Sequence, residues 1–256
     1  MTEDVLIRIE GAAGRITLNR PKALNALNHP MTLAIGAALA EWRDDDRVKH
    51  VVIDGAGGRA FCAGGDIRAV YDSIPTDPEI ARSFWRDEYR LNAMIARYPK
   101  PYVAIMDGFC LGGGVGLSAH GSHRIVTERS RVGMPETAIG FTPDVGGSFL
   151  LAHAPGHSGE YMAATAYRMT AADAILAGFA ETMIKSDDIP AFLVALCEGR
   201  GAGEAEQGFS TYPGASELAA RQADIDLIFD AETIQEAVRR LKAKGGPWAE
   251  ETLKKI

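Results

Sequence analysis

Two glycine-rich stretches stand where a carbonyl group could be activated. "GAGGRAFCAGGDI", residues 55–67, follows the apolar run "VVID", and "GFCLGGGVG", residues 108–116, follows "AIMD". Glycine costs conformational entropy and weakens helix and strand alike, so three in a row at Gly112, Gly113 and Gly114 need a reason. A turn that leads into a helix presents free N–H groups and the positive end of the helix dipole, and glycine lets a ligand oxygen come close to them. Two such N–H groups aimed at one carbonyl oxygen would stabilise an enolate or a tetrahedral oxyanion, by roughly 2.7–4 kcal/mol per donor. Close packing of a helix on a strand is the competing explanation, and the occurrence of a pair favours the chemical one.

Carboxylates supply the other half of such chemistry. In "VGMPETAIGFTPDVGGSFLL", Glu136 follows Pro135 and Asp144 follows Pro143, both within otherwise apolar sequence. Carboxylates in apolar surroundings hold their protons more tightly and suit general acid or base work near neutral pH. Glu136 reads equally as the start of a helix, and Asp144 as a cap on "DVGGSFLL". Glu88, in "FWRDEYRLN", reads by default as a solvated helix residue.

Other chemistries fit less well. "GAGGRA" matches a relaxed dinucleotide fingerprint through Gly55, Gly57 and Ala60, but "FCAGGD" interrupts the helix that must begin there. "GLSAH" resembles a nucleophile elbow through Gly116 and Ser118, yet His120 replaces its last glycine. Cys62 belongs to a residue type that is usually buried, and no histidine lies near it in sequence. His120 and His123 could meet on a helix face, but without a third ligand no metal is expected.

The elements that must position these groups alternate. "VLIRIEGAAGRITLN" reads as a β-hairpin over about residues 5–19, and "HPMTLAIGAALAEWRDDD" as a helix over about 30–45 with Pro30 in its first turn. "KHVVIDG", "PYVAIMDG" and "RIVTE" are strand-like, the first two buried on both faces, and "TDPEIARSFWRDEYRLNAMIARYP" is a long amphipathic helix between them. That order is an α/β domain with crossover connections, so both glycine turns should share the carboxyl edge of a sheet. Residues 158–198 read as helical, "GRGAGEAEQGFSTYPGAS" as a linker or loop, and "ELAARQADIDLIFDAETIQEAVRRLKAKGG" as two helices.

Composition narrows the function classes. With 256 residues, 46% hydrophobic, the chain suits one large domain or a main domain with an appendage. A formal charge of −7 argues against a nucleic-acid partner but leaves small anionic ligands open. Cys62, Cys110 and Cys197 form no C-x-x-C pair, so buried reduced thiols are expected. The start "MTEDVLIRIEG" shows no basic segment ahead of a long apolar one, and no stretch reaches the roughly 20 apolar residues of a membrane span. A cytoplasmic protein without membrane attachment is the expectation.

Taken together, the motifs resemble the crotonase (enoyl-CoA hydratase/isomerase) superfamily. The likeness runs in collinear order through "ITLNRPKALNALN", "AFCAGGDI", "PYVAIMDGFCLGGGVGLS", "MPETAIGFTPDVGG" and "ATAYRMTAADAILAGFAE", over about the first 190 residues. It implies a spiral of ββα units in an α/β fold, with residues 1–198 as the core carrying a CoA-ester site. Residues 199–256 would be a linker and C-terminal helices, a region that looks shortened against the superfamily. The resemblance places the oxyanion-hole donors at the N–H groups of Gly65 and Gly113. Lys22, Ala23 and Leu24 would lie beside the nucleotide of CoA, with Ala63, Asp66, Ile67 and Arg68 along the same cleft.

In superfamily hydratases two glutamates deliver water across a double bond. The second matches Glu136, whereas the first falls on Gly116, and loss of one such group costs roughly 10²–10⁴-fold in rate. "FCAGGDIRAVY", "RDEYRLN" and "MPETAIGFTPDVGG" look most like the superfamily's thioester hydrolases. That likeness keeps Glu136, adds Asp144 as a second catalytic carboxylate, and makes Glu88 a contact to the acyl group. It implies hydrolysis of 3-hydroxyisobutyryl-CoA, a step of valine breakdown, or of a similar short 3-hydroxyacyl-CoA. Coenzyme A would then be part of the substrate, no further cofactor is implied, and a homotrimer or hexamer is expected. A hydratase or isomerase, and a silent acyl-CoA-binding protein, are the alternatives.

Overall fold

Three long strands of this chain are each followed by a short one and then by a helix. In the computed structural model, which describes residues 3–256, the chain opens with β1 (Val5–Glu10) and β2 (Ala13–Leu18), an antiparallel hairpin with Val5 opposite Leu18. Helix α1 (His29–Trp42) follows; Asn28 caps it by accepting from the Met31 N–H, Pro30 occupies its first turn, and Met31, Ile35, Leu39 and Trp42 are its buried side. Three repeats then alternate between two sheets. β3 (His50–Gly55) is followed by β4 (Ala60–Cys62), α2 (Ile67–Ser73) and α3 (Pro78–Ala96). β5 (Tyr102–Met106) is followed by β6 (Phe109–Leu111) and α4 (Gly113–Ser118). β7 (His123–Val126) is followed by β8 (Arg131–Gly133) and then α5 (Gly147–Ala152), α6 (Ser158–Thr165) and α7 (Ala171–Leu176).

The long strands form one sheet in the order β1-β2-β3-β5-β7, closed by the two-residue β9 (Thr182–Met183), and the short strands form a second, β4-β6-β8. After the hairpin the strands pair with one another in parallel. This is the spiral of ββα units expected from the motifs. Strand period two sorts the core: Val51, Ile53, Ala104 and Met106 face the space between the sheets with Phe61, Val115 and Leu117. Val52, Val103, Ile105 and Ile125 face the other side, so the central strands are buried on both faces, as their unbroken apolar runs require.

That second face corrects two sequence expectations. Residues 158–198 are not helical throughout, because β9 pairs with β7 before α8 (Ile189–Cys197) begins. Residues 199–216, read as a linker, contain helix α9 (Ala202–Phe209). Its glycines disfavour helix, but Ala202 and Ala205 are buried against the sheet and the Phe209 ring meets Phe192 edge-on at 5.7 Å. Tertiary burial outweighs local propensity there. α10 (Glu217–Phe229), α11 (Ile234–Lys244) and α12 (Pro247–Leu253) complete the fold, and Ile225, Phe229, Leu241 and Ala249 join the cluster that fills the space between the sheets. Among the described residues no helix is long and apolar enough to cross a membrane.

Candidate active site

The three strands of the smaller sheet all end at one place. β4 leads into Ala63, Gly64 and Gly65, β6 into Gly112 and Gly113, and β8 into Pro135 and Glu136. Parallel pairing, with Cys62 beside Cys110 after a one-residue register shift at Phe61 and Leu111 beside Gly133, sets these turns side by side. The Gly112 N–H donates to the Gly133 carbonyl at 3.0 Å and ties the second turn to the third. With α3 they enclose a cavity of about 90 Å³, bordered by Gly65, Gly113, Glu88, Glu136 and Asp144. Ala63 and Ile67 border it as well.

The glycines answer to different neighbours. A Cβ at Gly112 would stand 2.6 Å from Glu136 Oε1, and its φ of 49° is one that side chains disfavour. A Cβ at Gly113 would stand 2.6 Å from Glu88 Oε1, and one at Gly114 would stand 2.5 Å from the Cys62 carbonyl. Gly112 and Gly113 thus make room for the carboxylates, while Gly114 serves close packing. The Gly65 nitrogen lies 3.2 Å from the point where a Gly113 Cβ would be, so the two turns touch. Among the described residues neither the Gly65 nor the Gly113 N–H meets an acceptor, which leaves two adjacent donors for a ligand oxygen.

Three carboxylates converge on those donors in a poorly solvated space. Burial pushes the Glu88 carboxyl up to about 8, and the charges of Asp144 and Glu136 add to the rise. Burial likewise raises Glu136 to about 7, with a further contribution from Asp144. Asp144 is raised by burial too, against the hydrogen bond that Tyr89 donates to it at 2.7 Å. Glu88 Oε1 and Glu136 Oε2 are buried and make no hydrogen bond among the described residues. Groups poised near neutrality beside a pair of oxyanion donors are equipped for acyl transfer.

The structure separates the readings that the sequence left open. Glu136 does begin a single turn of 3₁₀ helix, Glu136–Ile139, yet it is buried. Asp144 is no helix cap, because α5 starts behind Gly146 without any side-chain cap. Glu88 is only 2% exposed, and its sequence did carry the signal. It falls in the buried stripe Phe84, Glu88, Leu91, Ile95 of α3, where helical spacing calls for an apolar residue. Ser118 is buried and donates to the Gly114 carbonyl at 2.8 Å, and burial pushes the Cys62 thiol up to about 12, so neither is a nucleophile. His120 faces the Val145 carbonyl and His123 faces Glu206, so they do not meet. Among the described residues no acidic, histidine or cysteine cluster suits a metal ion.

Other expected contacts lie outside the cavity. Lys22 and Ala23 are exposed in a 3₁₀ turn, and the Leu24 carbonyl accepts from the Ala63 N–H at 3.0 Å, so this segment abuts the first glycine turn. Asp66 caps α2 through the Ala69 N–H and pairs with Arg20 at 3.0 Å, while Arg68 is exposed on α2. Sequence reasoning missed Trp85 and Phe141, which line the cavity, and Tyr89, which holds Asp144. Trp85 lies one helical turn before both Glu88 and Tyr89, at spacings of three and four, and that spacing was their only signal.

Known proteins resemble the chain throughout. It is 41% identical over 256 residues to the mitochondrial 3-hydroxyisobutyryl-CoA hydrolase of Xenopus tropicalis, with 96% of this chain and 66% of that protein covered. To the protein of the same name from Homo sapiens it is 38% identical, covering 99% of this chain and 68% of that one. The chain thus spans about two thirds of these relatives. Among solved structures, a carnitinyl-CoA dehydratase from Mycobacterium thermoresistibile superposes with a TM-score of 0.96 at 46% identity, covering 99% of this chain and 74% of that one. An enoyl-CoA hydratase from Rhodobacter sphaeroides gives 0.91, also at 46% identity and with the same coverage. The family model described as enoyl-CoA hydratase/isomerase matches residues 13–256. With its ββα spiral, its paired glycine turns and this match over most of its length, the chain belongs to the enoyl-CoA hydratase/isomerase family.

Proposed function

We propose that this chain hydrolyses the thioester of a short 3-hydroxyacyl-CoA, with 3-hydroxyisobutyryl-CoA as the first substrate to try. One observation carries the reading: Glu136, Asp144 and Glu88 border a single cavity with the free N–H groups of Gly65 and Gly113. Hydration of a double bond in this family calls for a carboxylate at position 116, where this chain has glycine. A Cβ there would meet Val145 Cβ at 2.7 Å and Asn92 Nδ2 at 2.8 Å, so the site has no space for one. The names of the curated relatives support hydrolysis as well.

In this reading the thioester oxygen lies on the Gly65 and Gly113 N–H groups, which stabilise the charge that develops on it. Glu136 either attacks the carbonyl carbon, giving an anhydride as the carbon–sulfur bond breaks, which water then hydrolyses to release the acid, or draws a proton from a water that attacks the same carbon and displaces the thiolate. Asp144 or Glu88 holds the substrate hydroxyl and helps pass a proton to the leaving thiolate, which their raised proton affinities allow. The products are a free hydroxy acid and the CoA thiol, with water as the only other reactant. The CoA portion runs past Lys22 to Leu24, Asp66 and Arg68, outside the acyl cavity, with Ala63 and Ile67 at the cavity's border. A homotrimer or hexamer belongs to the same reading, to be measured by sedimentation.

The two solved structures described above, a carnitinyl-CoA dehydratase and an enoyl-CoA hydratase, favour a dehydratase or hydratase instead. One pair of assays separates the readings: thiol release across short branched and 3-hydroxy acyl-CoAs, and loss of conjugated absorbance from crotonyl-CoA. Thiol release without absorbance loss is the expected result. Absorbance loss without thiol release overturns hydrolysis, and tight binding with no turnover identifies a silent acyl-CoA-binding protein.

A further inference from the structure

The acyl cavity is closed on one side by a pair of rings that the chemistry above does not use. Trp85 and Phe141 lie nearly parallel, 16° apart in plane, with centroids 5.9 Å apart. They come from different segments: Trp85 from α3, three residues before Glu88, and Phe141 from the stretch after Glu136, three residues before Asp144. Phe141 is 37% exposed and Trp85 is half-buried, so the stack stands at the boundary between the cavity and solvent. The space it bounds, about 90 Å³, is far below the roughly 300–1,000 Å³ of an ordinary ligand cleft. An acyl chain whose carbonyl sits on Gly65 and Gly113 shares this small space with the two rings, and the space holds few carbons.

We infer that the Trp85–Phe141 stack is the specificity-determining wall that limits this site to short acyl groups. The inference rests on the acyl-CoA reading of the cavity, not on which reaction follows. The two rings bridge α3 and the Glu136–Asp144 segment, so the wall is fixed to the elements that carry the carboxylates. In a hydrophobic pocket each methylene added or denied changes discrimination by roughly 10–200-fold. Removing one ring therefore opens space for several more carbons.

The test compares wild type with Phe141→Ala, Trp85→Leu and Trp85→Phe, the last of which keeps a ring in the stack. Each is measured for kcat/KM of thiol release from 3-hydroxybutyryl-CoA and 3-hydroxyoctanoyl-CoA, and for binding of S-butyl-CoA and S-octyl-CoA, which are not hydrolysed. Wild type and Trp85→Phe are expected to prefer the short compounds, and Phe141→Ala and Trp85→Leu to lose at least about tenfold of that preference. Thermal unfolding identifies a variant that does not fold, and because Phe141 is partly exposed its truncation keeps the test decisive. Unchanged preference in the folded variants overturns the inference, as does an equal loss for both lengths, which would put the stack on the CoA side. If no ester yields thiol, the hydrolase reading falls, while the thioether binding still decides whether the stack selects by length.

Discussion

Tyr89 and Asp144 are joined across the cavity wall, the tyrosine hydroxyl donating to Asp144 Oδ2 at 2.7 Å. The bond fastens α3 to the segment behind Glu136 and favours the charged form of Asp144, against the burial that raises its proton affinity. A hydrogen bond to a charged group is worth roughly 1.5–3 kcal/mol, or about 1–2 pH units of ionisation. In Tyr89→Phe the Asp144 ionisation shifts upward, and the pH profile of thiol release shifts with it. With Asp144 as a proton donor to the leaving thiolate, the expected pattern is an alkaline limb of kcat/KM that falls at higher pH than in wild type. A uniform reduction at every pH would make Tyr89 a packing residue only.

In the proposed mechanism Glu136 acts in its ionised form, whether it attacks or draws a proton. Burial places that ionisation at about 7, so activity should rise with pH through this value and fall away below it. Glu136→Gln is expected to reduce thiol release by roughly 10²–10⁴-fold while binding of a non-hydrolysed thioether stays near wild type. Single-turnover assays together with titration calorimetry check both halves. Retention of more than about a tenth of the turnover would remove Glu136 from the chemistry.

How far the sequence discloses this site depends on whether the signal is local. The hairpin, the apolar strands and the two glycine turns are legible because strand period and turn chemistry act over a few residues. Helix α9 is not, since Gly203 and Gly208 obscure a burial pattern that only the distant β-sheet and Phe192 complete. Glu136 stands out through its apolar neighbours, but Glu88 is flanked by Asp87 and Arg86, and only helical phase marks it as buried. Phe141 carries no local mark, for its partner Trp85 lies 56 positions earlier in the chain. Resemblance to a family made Glu88 and Asp144 candidates; the stack and Tyr89 required the fold.

Glu88 is also where function works against stability. Its folded proton affinity, near 8, lies above the ordinary 4.5, so its contribution is fully present below about 4.5 and is lost as pH rises through about 8. Above that range a charge sits buried beside Asp144 and Glu136. Glu88→Gln removes the charge and keeps the shape. The expected gain at alkaline pH is on the order of 2 kcal/mol, which corresponds to roughly 4–8 °C in Tm for a chain of this size. Near pH 5 the two proteins should unfold together. Calorimetry across that range checks this, and equal unfolding temperatures at both ends would contradict the burial argument.

Gly116 decides whether hydration can be restored by supplying the absent carboxylate. A Cβ at this position would stand 2.7 Å from Val145 Cβ and 2.8 Å from Asn92 Nδ2. Neither neighbour yields readily. Val145 is buried and held at φ 44°, a conformation that a β-branched residue adopts only under constraint, and its carbonyl accepts from His120 Nε2 at 2.7 Å. Asn92 is buried on α3 one turn beyond Glu88. Overpacking of this kind costs roughly 1–3 kcal/mol even for a single methyl, so Gly116→Ala should lower Tm by several degrees. Gly116→Glu would press a carboxylate into the same contacts and push Val145 against the neighbouring Asp144. It should yield little folded protein and no loss of crotonyl-CoA absorbance. A stable Gly116→Glu protein that hydrates crotonyl-CoA would mean that this wall opens, and that the site differs from a hydratase by one side chain only.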